Sequence, residues 1–144
     1  MNNTVIVFKP GAWDPFHVGH LNVIRMAASF GERLIVGVAT DDYIREYKHR
    51  EPFLPFCDRA RIVSELRSVD LATPYSGPED MVPIDLFGIN VVVVDEFYGI
   101  GNSTHAKRQR QAIELLRMRH VRIVRVPRTP NVSSTRVREG GTDG

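Results

Sequence analysis

Residues 11–20 read Gly-Ala-Trp-Asp-Pro-Phe-His-Val-Gly-His, and this stretch is the most informative part of the chain. The apolar run from Val5 to Phe8 before it is typical of a buried strand. The apolar residues after it, from Leu21 to Phe30, are spaced like one face of a helix. An open α/β sheet binds its ligand where such a strand passes into a helix. The sequence therefore predicts a ligand site around His17 and His20.

This histidine pair is suited to an anionic ligand. A helix N-terminus offers unpaired backbone N–H groups and the positive end of the helix dipole, both of which favour phosphate. His17 and His20 are three residues apart, so they project to one side if the first helical turn includes both. Gly19 between them leaves room for a phosphate close to the backbone. The alternative is a tight turn whose histidines only cap the helix; the combination of residues favours the phosphate site.

The rest of the chain alternates strand and helix patterns. Strands are predicted over residues 5–8, 33–39, 71–75, 91–95 and 121–126. After the first helix, further helices are predicted over residues 41–48, 58–68, 83–87, 103–118 and 134–139. This alternation predicts an α/β fold, a Rossmann-like three-layer sandwich with a five-stranded parallel sheet. Pro74 favours an edge position for the third strand. We expect one domain over residues 1–144, frayed from about residue 140.

Composition limits the classes of protein that the chain can represent. A chain of 144 residues with 42% apolar residues can bury a normal core. The single cysteine, Cys57, cannot form an internal disulfide, which favours a cytoplasmic location. We expect no signal peptide and no membrane span. The sequence lacks the glycine-rich dinucleotide fingerprint, the P-loop motif and zinc-ligand spacing, which argues against a dinucleotide dehydrogenase, a P-loop enzyme and a zinc protein.

Charge is distributed unevenly along the chain although its net value is only +2. Residues 1–100 contain 9 Lys/Arg and 14 Asp/Glu, whereas residues 101–144 contain 10 and 3. We interpret the basic residues between Lys107 and Arg119 as a solvated helix face, with a positive wall beside an anionic ligand as the second interpretation. The sequence argues against a nucleic-acid partner, because no aromatic residues alternate with the basic ones.

Two segments carry a family resemblance. Residues 11–20 resemble the HxGH signature of the class I nucleotidyltransferases, the cytidylyltransferase-like group, with Ala12 where that group has Thr or Ser. Residues 128–135, Arg-Thr-Pro-Asn-Val-Ser-Ser-Thr, resemble the Arg-Thr-Glu-Gly-Ile-Ser-Thr-Thr/Ser motif of glycerol-3-phosphate and choline-phosphate cytidylyltransferases. Pro130 and Asn131 replace the Glu and Gly of that motif. The glycerol-3-phosphate cytidylyltransferases are the closest match.

The resemblance implies a set of site residues. Those that act in the transfer are His17, His20, Lys48 and Arg128, with Arg50 as a competitor for the place of Lys48. Those that bind the nucleotide are Lys9, Gly11, Ala12, Trp13, Gly19, Asp95, Arg128, Ser133, Ser134 and Thr135. Those near the acceptor are Asp14, Asp41 and Arg59, with Arg61 in reserve. We expect no metal bound by protein side chains; Mg²⁺ would be bound through the nucleotide phosphates.

The resemblance also implies an activity. It is the transfer of CMP from CTP to a small phosphorylated alcohol such as glycerol 3-phosphate, with release of pyrophosphate. A phosphate nucleophile is already ionised at neutral pH, which agrees with the lack of a Ser-His-Asp or Cys-His arrangement. The alternatives are an ATP-dependent adenylyltransferase for a sugar phosphate, flavin or pantetheine-like acceptor, and a non-catalytic nucleotide-binding regulatory module. The resemblance further implies a homodimer.

Overall fold

The fold is taken from a computed structural model, and the structure describes residues 3–128. The strands are β1 (Ile6–Gly11), β2 (Arg33–Ala39), β3 (Leu71–Tyr75), β4 (Val91–Asp95) and β5 (Arg122–Val126). The helices are α1 (Val18–Ala28), α2 (Asp41–Lys48), α3 (Phe56–Ser64), α4 (Val82–Phe87) and α5 (Thr104–Met118). The predicted site residues Ser133, Ser134 and Thr135, the helix over 134–139 and the frayed end from residue 140 lie outside the described residues.

All five strands pair in parallel, in the order β3-β2-β1-β4-β5. Phe8 of β1 lies between Ile35 of β2 and Val92 of β4. The strand order reverses between β1 and β4, and in open α/β sheets this is the place where a crevice opens at the carboxyl edge. The α/β fold with a five-stranded parallel sheet predicted from the sequence is therefore confirmed.

Helices cover both faces of the sheet. Neighbouring residues of β1 point to opposite faces, so Val7 packs in one apolar cluster and Phe8 in the other. The cluster of Val7 includes residues of α1 and α3, such as Ile24 and Val63. The cluster of Phe8 includes residues of α2, α4 and α5, such as Leu116. These two buried layers explain why the central strands are continuous runs of apolar residues.

Some predicted boundaries were correct and others were not. The edge position of β3 is confirmed, and Pro74 is tolerated there because an edge strand needs fewer N–H donors. The helix predicted over residues 58–68 was displaced: α3 begins at Phe56, directly after Pro55 as its N-cap, and ends at Ser64. Proline is common next to a helix start because its fixed φ suits the first turn.

A wholly buried arginine joins the loops at the carboxyl edge of the sheet. The guanidinium of Arg59 has no exposed surface. Its Nη1 donates to the carbonyl oxygens of Ala12 at 2.9 Å and Ala39 at 2.7 Å. Its Nε donates to the carbonyl of Leu54 at 2.8 Å, and its Nη2 contacts the Asp41 carboxylate at 2.6 Å. One side chain thus fixes the loop after β1, the end of β2, the start of α2 and the loop before α3.

Asp14 makes a second buried connection. Its carboxylate, also without exposed surface, accepts hydrogen bonds from the backbone N–H groups of Phe53 at 2.8 Å and Leu54 at 2.9 Å. Arg50 approaches the same carboxylate at 3.3 Å. Because a buried carboxylate needs such donors, the loop between α2 and α3 is held against the loop that precedes α1.

We predict that Arg59→Met lowers the free energy of unfolding by about 3–5 kcal/mol, because the Asp41 carboxylate and three carbonyl oxygens lose their shared donor. Urea unfolding followed by circular dichroism measures this change. Arg61→Met, an exposed position two residues along the same helix, is the matched control and should stay within about 0.5 kcal/mol of the parent. Equal unfolding midpoints for the two variants would show that Arg59 does not join the loops.

Candidate active site

A cavity of about 470 Å³ opens at the carboxyl edge of the sheet, where β1 and β4 separate. Its walls come from the ends of β1, β4 and β5 and from α1, α2 and α5. The cavity brings together ten of the predicted site residues: Lys9, Gly11, Ala12, Trp13, His17, Gly19, His20, Lys48, Asp95 and Arg128. A polar crevice at this place in an α/β sheet is the expected position of a ligand site.

The imidazole rings of His17 and His20 lie stacked at the start of α1. Their centroids are 3.7 Å apart and the rings are inclined by 19°. His17 is the N-cap residue, and its Nδ1 accepts from the N–H groups of Gly19 at 3.1 Å and His20 at 3.4 Å. In return, the N–H of His17 donates to Nδ1 of His20 at 3.3 Å. The prediction that both histidines project to one side is confirmed.

One part of the sequence prediction was wrong. The N–H groups of Gly19 and His20 were expected to be available to a phosphate, yet the side chain of His17 already accepts from both. This reciprocal capping satisfies the donors that a helix start leaves unpaired. An anion at this edge therefore meets imidazole groups before it meets these two N–H groups. Capping uses Nδ1 of each ring.

The capping bonds determine where each neutral imidazole carries its hydrogen. Since Nδ1 of His17 and Nδ1 of His20 both act as acceptors, the hydrogen of each neutral ring is on Nε2. Burial lowers the pKa of His17, and burial lowers the pKa of His20 to about 3, with the charges of Lys9 and Lys48 as smaller contributions. The pair is therefore neutral near pH 7, and each ring carries its hydrogen on Nε2.

Trp13 supports the histidine pair from the loop after β1. Its indole is buried, its Nε1 donates to the carbonyl oxygen of Gly37 at 2.9 Å, and its ring meets the His20 ring edge-on at 5.2 Å. Trp13 adopts a φ of 55°, which L-residues rarely do. A Cβ on Gly11 would lie 2.5 Å from the indole, so glycine at position 11 makes room for Trp13.

Three cationic side chains line the cavity: Lys9, Lys48 and Arg128. Lys9 lies at the end of the central strand, where its Nζ donates to the carbonyl oxygen of Pro10 at 2.8 Å. Burial lowers the pKa of Lys9 to about 8, although the Asp95 carboxylate opposes this shift. Asp95 also contacts Arg128 at 3.5 Å. The cavity therefore carries an excess of positive charge.

The three residues predicted near the acceptor lie outside the cavity lining. Asp14 and Arg59 are the buried connections described above, and Asp41 is the partner of Arg59. Between the two competitors at the end of α2, Lys48 lines the cavity, whereas Arg50 contacts the Asp14 carboxylate and the Glu51 carbonyl instead. The acceptor roles of Asp14, Asp41 and Arg59 stay predictions.

Comparison with known proteins agrees with this geometry. A family model described as cytidylyltransferase-like matches residues 8–140. The chain belongs to the cytidylyltransferase-like family.

Relatives in this family carry out different reactions. An FAD synthase from Thermococcus kodakarensis is 36% identical over 97 residues, which cover 64% of each chain. An ethanolamine-phosphate cytidylyltransferase from Dictyostelium discoideum is 38% identical over 95 residues, which cover 63% of this chain and 26% of that enzyme. The chain thus matches less than two thirds of the length of either relative. Membership in the family is shared, and the substrates named for these relatives are their own.

A solved structure supports the fold. The lipopolysaccharide core biosynthesis protein from Thermoplasma volcanium superimposes with a TM-score of 0.70 at 23% identity, covering 88% of this chain and 99% of that one. At this level of identity the likeness concerns the fold alone. It agrees with the doubly wound arrangement of a cytidylyltransferase-like domain.

The sequence analysis missed one side of the cavity of this cytidylyltransferase-like chain. That side is lined by neutral aromatic and amide side chains: Tyr43, Tyr47, Tyr75, His105 and Gln109. Tyr43 and Tyr47 are four residues apart on α2, and His105 and Gln109 are four residues apart on α5. Each spacing marks one helix face, but no local signal indicates that the two faces meet.

The basic residues between Lys107 and Arg119 agree with the first interpretation in part, since all of them except Arg108 are exposed. Arg108 contacts the carboxylates of Glu79 at 2.8 Å and Glu46 at 2.9 Å. Arg110 donates to the carbonyl oxygens of Gly99 and Gly101. Arg108, half-buried between these carboxylates, is not part of a solvated face. Neither Arg108 nor Arg110 lines the cavity, so neither forms a positive wall beside it.

Within residues 3–128, no group of three or more His, Cys, Asp or Glu side chains is arranged to hold a metal ion. Within the same part, no helix is long and apolar enough to cross a bilayer.

We predict that the ring of His20 stays neutral in the free protein from pH 8 down to pH 5. An ordinary histidine is half protonated near about pH 6.5, whereas burial lowers the pKa of His20 to about 3. The pKa of His20 is lower in the folded protein than in the unfolded chain. The free energy of unfolding therefore falls as the pH decreases below the pKa of histidine in the unfolded chain. Carbon and nitrogen NMR shifts of the ring report this directly. A titration midpoint above pH 6 would contradict the buried, capped arrangement.

Proposed function

We propose that the chain transfers a nucleoside monophosphate from a nucleoside triphosphate to a phosphorylated acceptor. A phosphate oxygen of the acceptor attacks the α-phosphorus, the bond from this phosphorus to the α–β bridging oxygen breaks, and pyrophosphate leaves with the electron pair. The observation that carries the proposal is the stacked pair of neutral histidines in a positively charged cavity. Such transfer requires the positioning of anions and the stabilisation of charge rather than a strong base.

Each cavity residue has a role in this proposal. His17 and His20 donate their Nε2–H groups to oxygens around the α-phosphorus, where negative charge increases in the transition state. Lys9, Lys48 and Arg128 stabilise the triphosphate and the departing pyrophosphate. Because the histidine donors are neutral and already oriented by the helix backbone, neither needs to change its protonation state during transfer.

Mg²⁺ fits the proposal as an ion that binds together with the phosphates of the nucleotide. Among the described residues that line the cavity, Asp95 is the one carboxylate, and it already accepts from the N–H of Phe97 at 2.7 Å. One carboxylate together with substrate phosphates is a common set of ligands for Mg²⁺. When bound, the ion neutralises charge on the phosphates.

CTP is the preferred nucleotide and glycerol 3-phosphate the model acceptor. The support is the resemblance of residues 128–135 to cytidylyltransferases and the likeness to an ethanolamine-phosphate cytidylyltransferase. ATP is the second candidate because a relative over 64% of the chain is an FAD synthase. Pyrophosphate release with CTP, ATP, GTP and UTP, each combined with a panel of phosphorylated acceptors, tests the proposal. Nucleotide binding without release from any pair would instead favour a regulatory module.

We predict that His17→Asn lowers kcat by about 10²–10³-fold, the usual loss when one oriented donor is removed. Asparagine is a good N-cap residue, so the free energy of unfolding should change by less than about 1 kcal/mol. Steady-state kinetics and urea unfolding on the same preparation separate the two effects.

The matched control for this change is His120→Asn. His120 is exposed and lies at the opposite end of α5 from the cavity. Its φ of 58° is well tolerated by asparagine. Equal activity of the two variants would contradict a role for the His17 imidazole in transfer.

We predict that nucleotide affinity decreases as the pH rises above about 8. Lys9 is charged below its pKa of about 8 and loses its proton above it, so its attraction to phosphate weakens there. Calorimetry from pH 7 to 9.5 should show this loss in the parent but not in Lys9→Met. Lys107→Met, an exposed position on α5, should behave like the parent. A parent affinity that is independent of pH would contradict the role of Lys9.

A further inference from the structure

The cavity contains a second half whose groups the transfer step does not use. We call it the aromatic half and define it as Tyr43, Tyr47, His105 and Gln109. The rings of Tyr47 and His105 are stacked, with centroids 4.7 Å apart and an inclination of 16°. The ring of Tyr43 lies 4.5 Å from that of Tyr47. This half lies beside Lys48, at the end of α2, so it is continuous with the cationic part of the site.

Hydrogen bonds through Gln109 determine which ring nitrogen of His105 carries the hydrogen. The N–H of Gly99 donates to Oε1 of Gln109 at 2.7 Å, which assigns the amide oxygen to that side. The amide nitrogen of Gln109 therefore faces Nε2 of His105, at 3.1 Å, and donates to it. With Nε2 as an acceptor, the hydrogen of a neutral His105 ring must be on Nδ1.

This Nδ1–H is a donor without a partner. Within residues 3–128, Nδ1 of His105 is buried and makes no hydrogen bond. Burial also lowers the pKa of His105, with the Arg108 charge as a further cause, so the ring is neutral near pH 7. A buried N–H without a partner destabilises the protein that contains it. A ligand oxygen that reaches this atom would satisfy it.

The charges around the aromatic half disfavour a cationic ligand. The Arg108 guanidinium lies 5.6 Å from the centroid of the Tyr43 ring, and Lys48 Nζ lies 5.6 Å from that of Tyr47. Cations of the protein thus already lie against both tyrosine rings, where an ammonium ligand would otherwise bind. Asp95, the one carboxylate among the described lining residues, is paired with Arg128.

We propose that the aromatic half binds the organic part of the acceptor and that His105 determines acceptor specificity. The acceptor class is a phosphate monoester whose organic part is uncharged and carries a hydroxyl or carbonyl oxygen for Nδ1–H. Acceptors that carry an ammonium group are selected against. This inference rests on the proposed function, since it assigns the second substrate of the same site.

An acceptor series tests the class. Pyrophosphate release is measured with the preferred nucleotide and five acceptors whose organic parts differ in charge and in oxygen content: glycerol 3-phosphate, FMN, ethyl phosphate, phosphoethanolamine and phosphocholine. We expect kcat/KM to be at least tenfold higher for glycerol 3-phosphate or FMN, which are neutral and oxygen-bearing beyond the phosphate, than for the two ammonium compounds. Ethyl phosphate, which lacks the additional oxygen, should also be poor. A preference for phosphoethanolamine or phosphocholine would overturn the inference.

Two substitutions of His105 distinguish the contribution of its Nδ1–H donor to acceptor binding from that of its aromatic ring. His105→Phe keeps a flat ring against Tyr47 and removes the donor, so the acceptor KM should rise about tenfold, the usual effect of one lost hydrogen bond. His105→Asn loses the ring but places an amide N–H near the position of Nδ1, so the acceptor KM should rise less. The nucleotide KM should stay the same in both, and His120→Asn should match the parent in every value.

The outcomes distinguish this inference from the function on which it rests. Pyrophosphate release with an unchanged acceptor KM in His105→Phe would overturn the acceptor subsite and leave the transfer reaction in place. A rise of both KM values together, or a loss of folded protein in both variants, would show a structural role for His105 and also overturn it. No release from any nucleotide and acceptor would overturn the proposed function and this inference together.

Discussion

The site depends on the reciprocal hydrogen bonds between two histidines and the backbone of the helix that they begin. Nδ1 of His17 accepts from the first turn of α1, and Nδ1 of His20 accepts from the N–H of His17. These bonds fix the rings 3.7 Å apart and leave the hydrogen of each on Nε2. A side-chain donor oriented by backbone groups loses little entropy when it binds. The same residues therefore stabilise the helix and prepare the site.

Beneath this surface, buried charges maintain the relative positions of the loops. Arg59 and Asp14 have no exposed surface, and each joins segments that are far apart in the sequence. Charged groups in such places are costly unless every donor and acceptor is matched. Their partners here include backbone groups of the loops that border the cavity. Rigid loops are an advantage for the proposed transfer, which requires the positioning of anions.

The two halves of the cavity have different chemistry and different origins. The cationic half combines the ends of β1 and β5 with the start of α1 and presents Lys9, Arg128 and the histidine pair. The aromatic half comes from α2 and α5, which lie on the other face of the sheet. The cavity thus lies where β1 and β4 separate, with the start of α1 on one side and the start of α5 on the other.

Local patterns in the sequence were enough to predict several parts of this protein. Apolar runs and helical spacing predicted the strands and the order of the elements, Pro74 predicted the edge strand, and residues 11–20 predicted the place of the site. Three features follow only from the folded structure: Arg59 is buried, the side chain of His17 caps the first-turn N–H groups of α1, and Tyr47 stacks on His105. The partners of Arg59 and the two stacked rings are distant in the sequence. Their contacts arise from packing on the sheet, which no local pattern records.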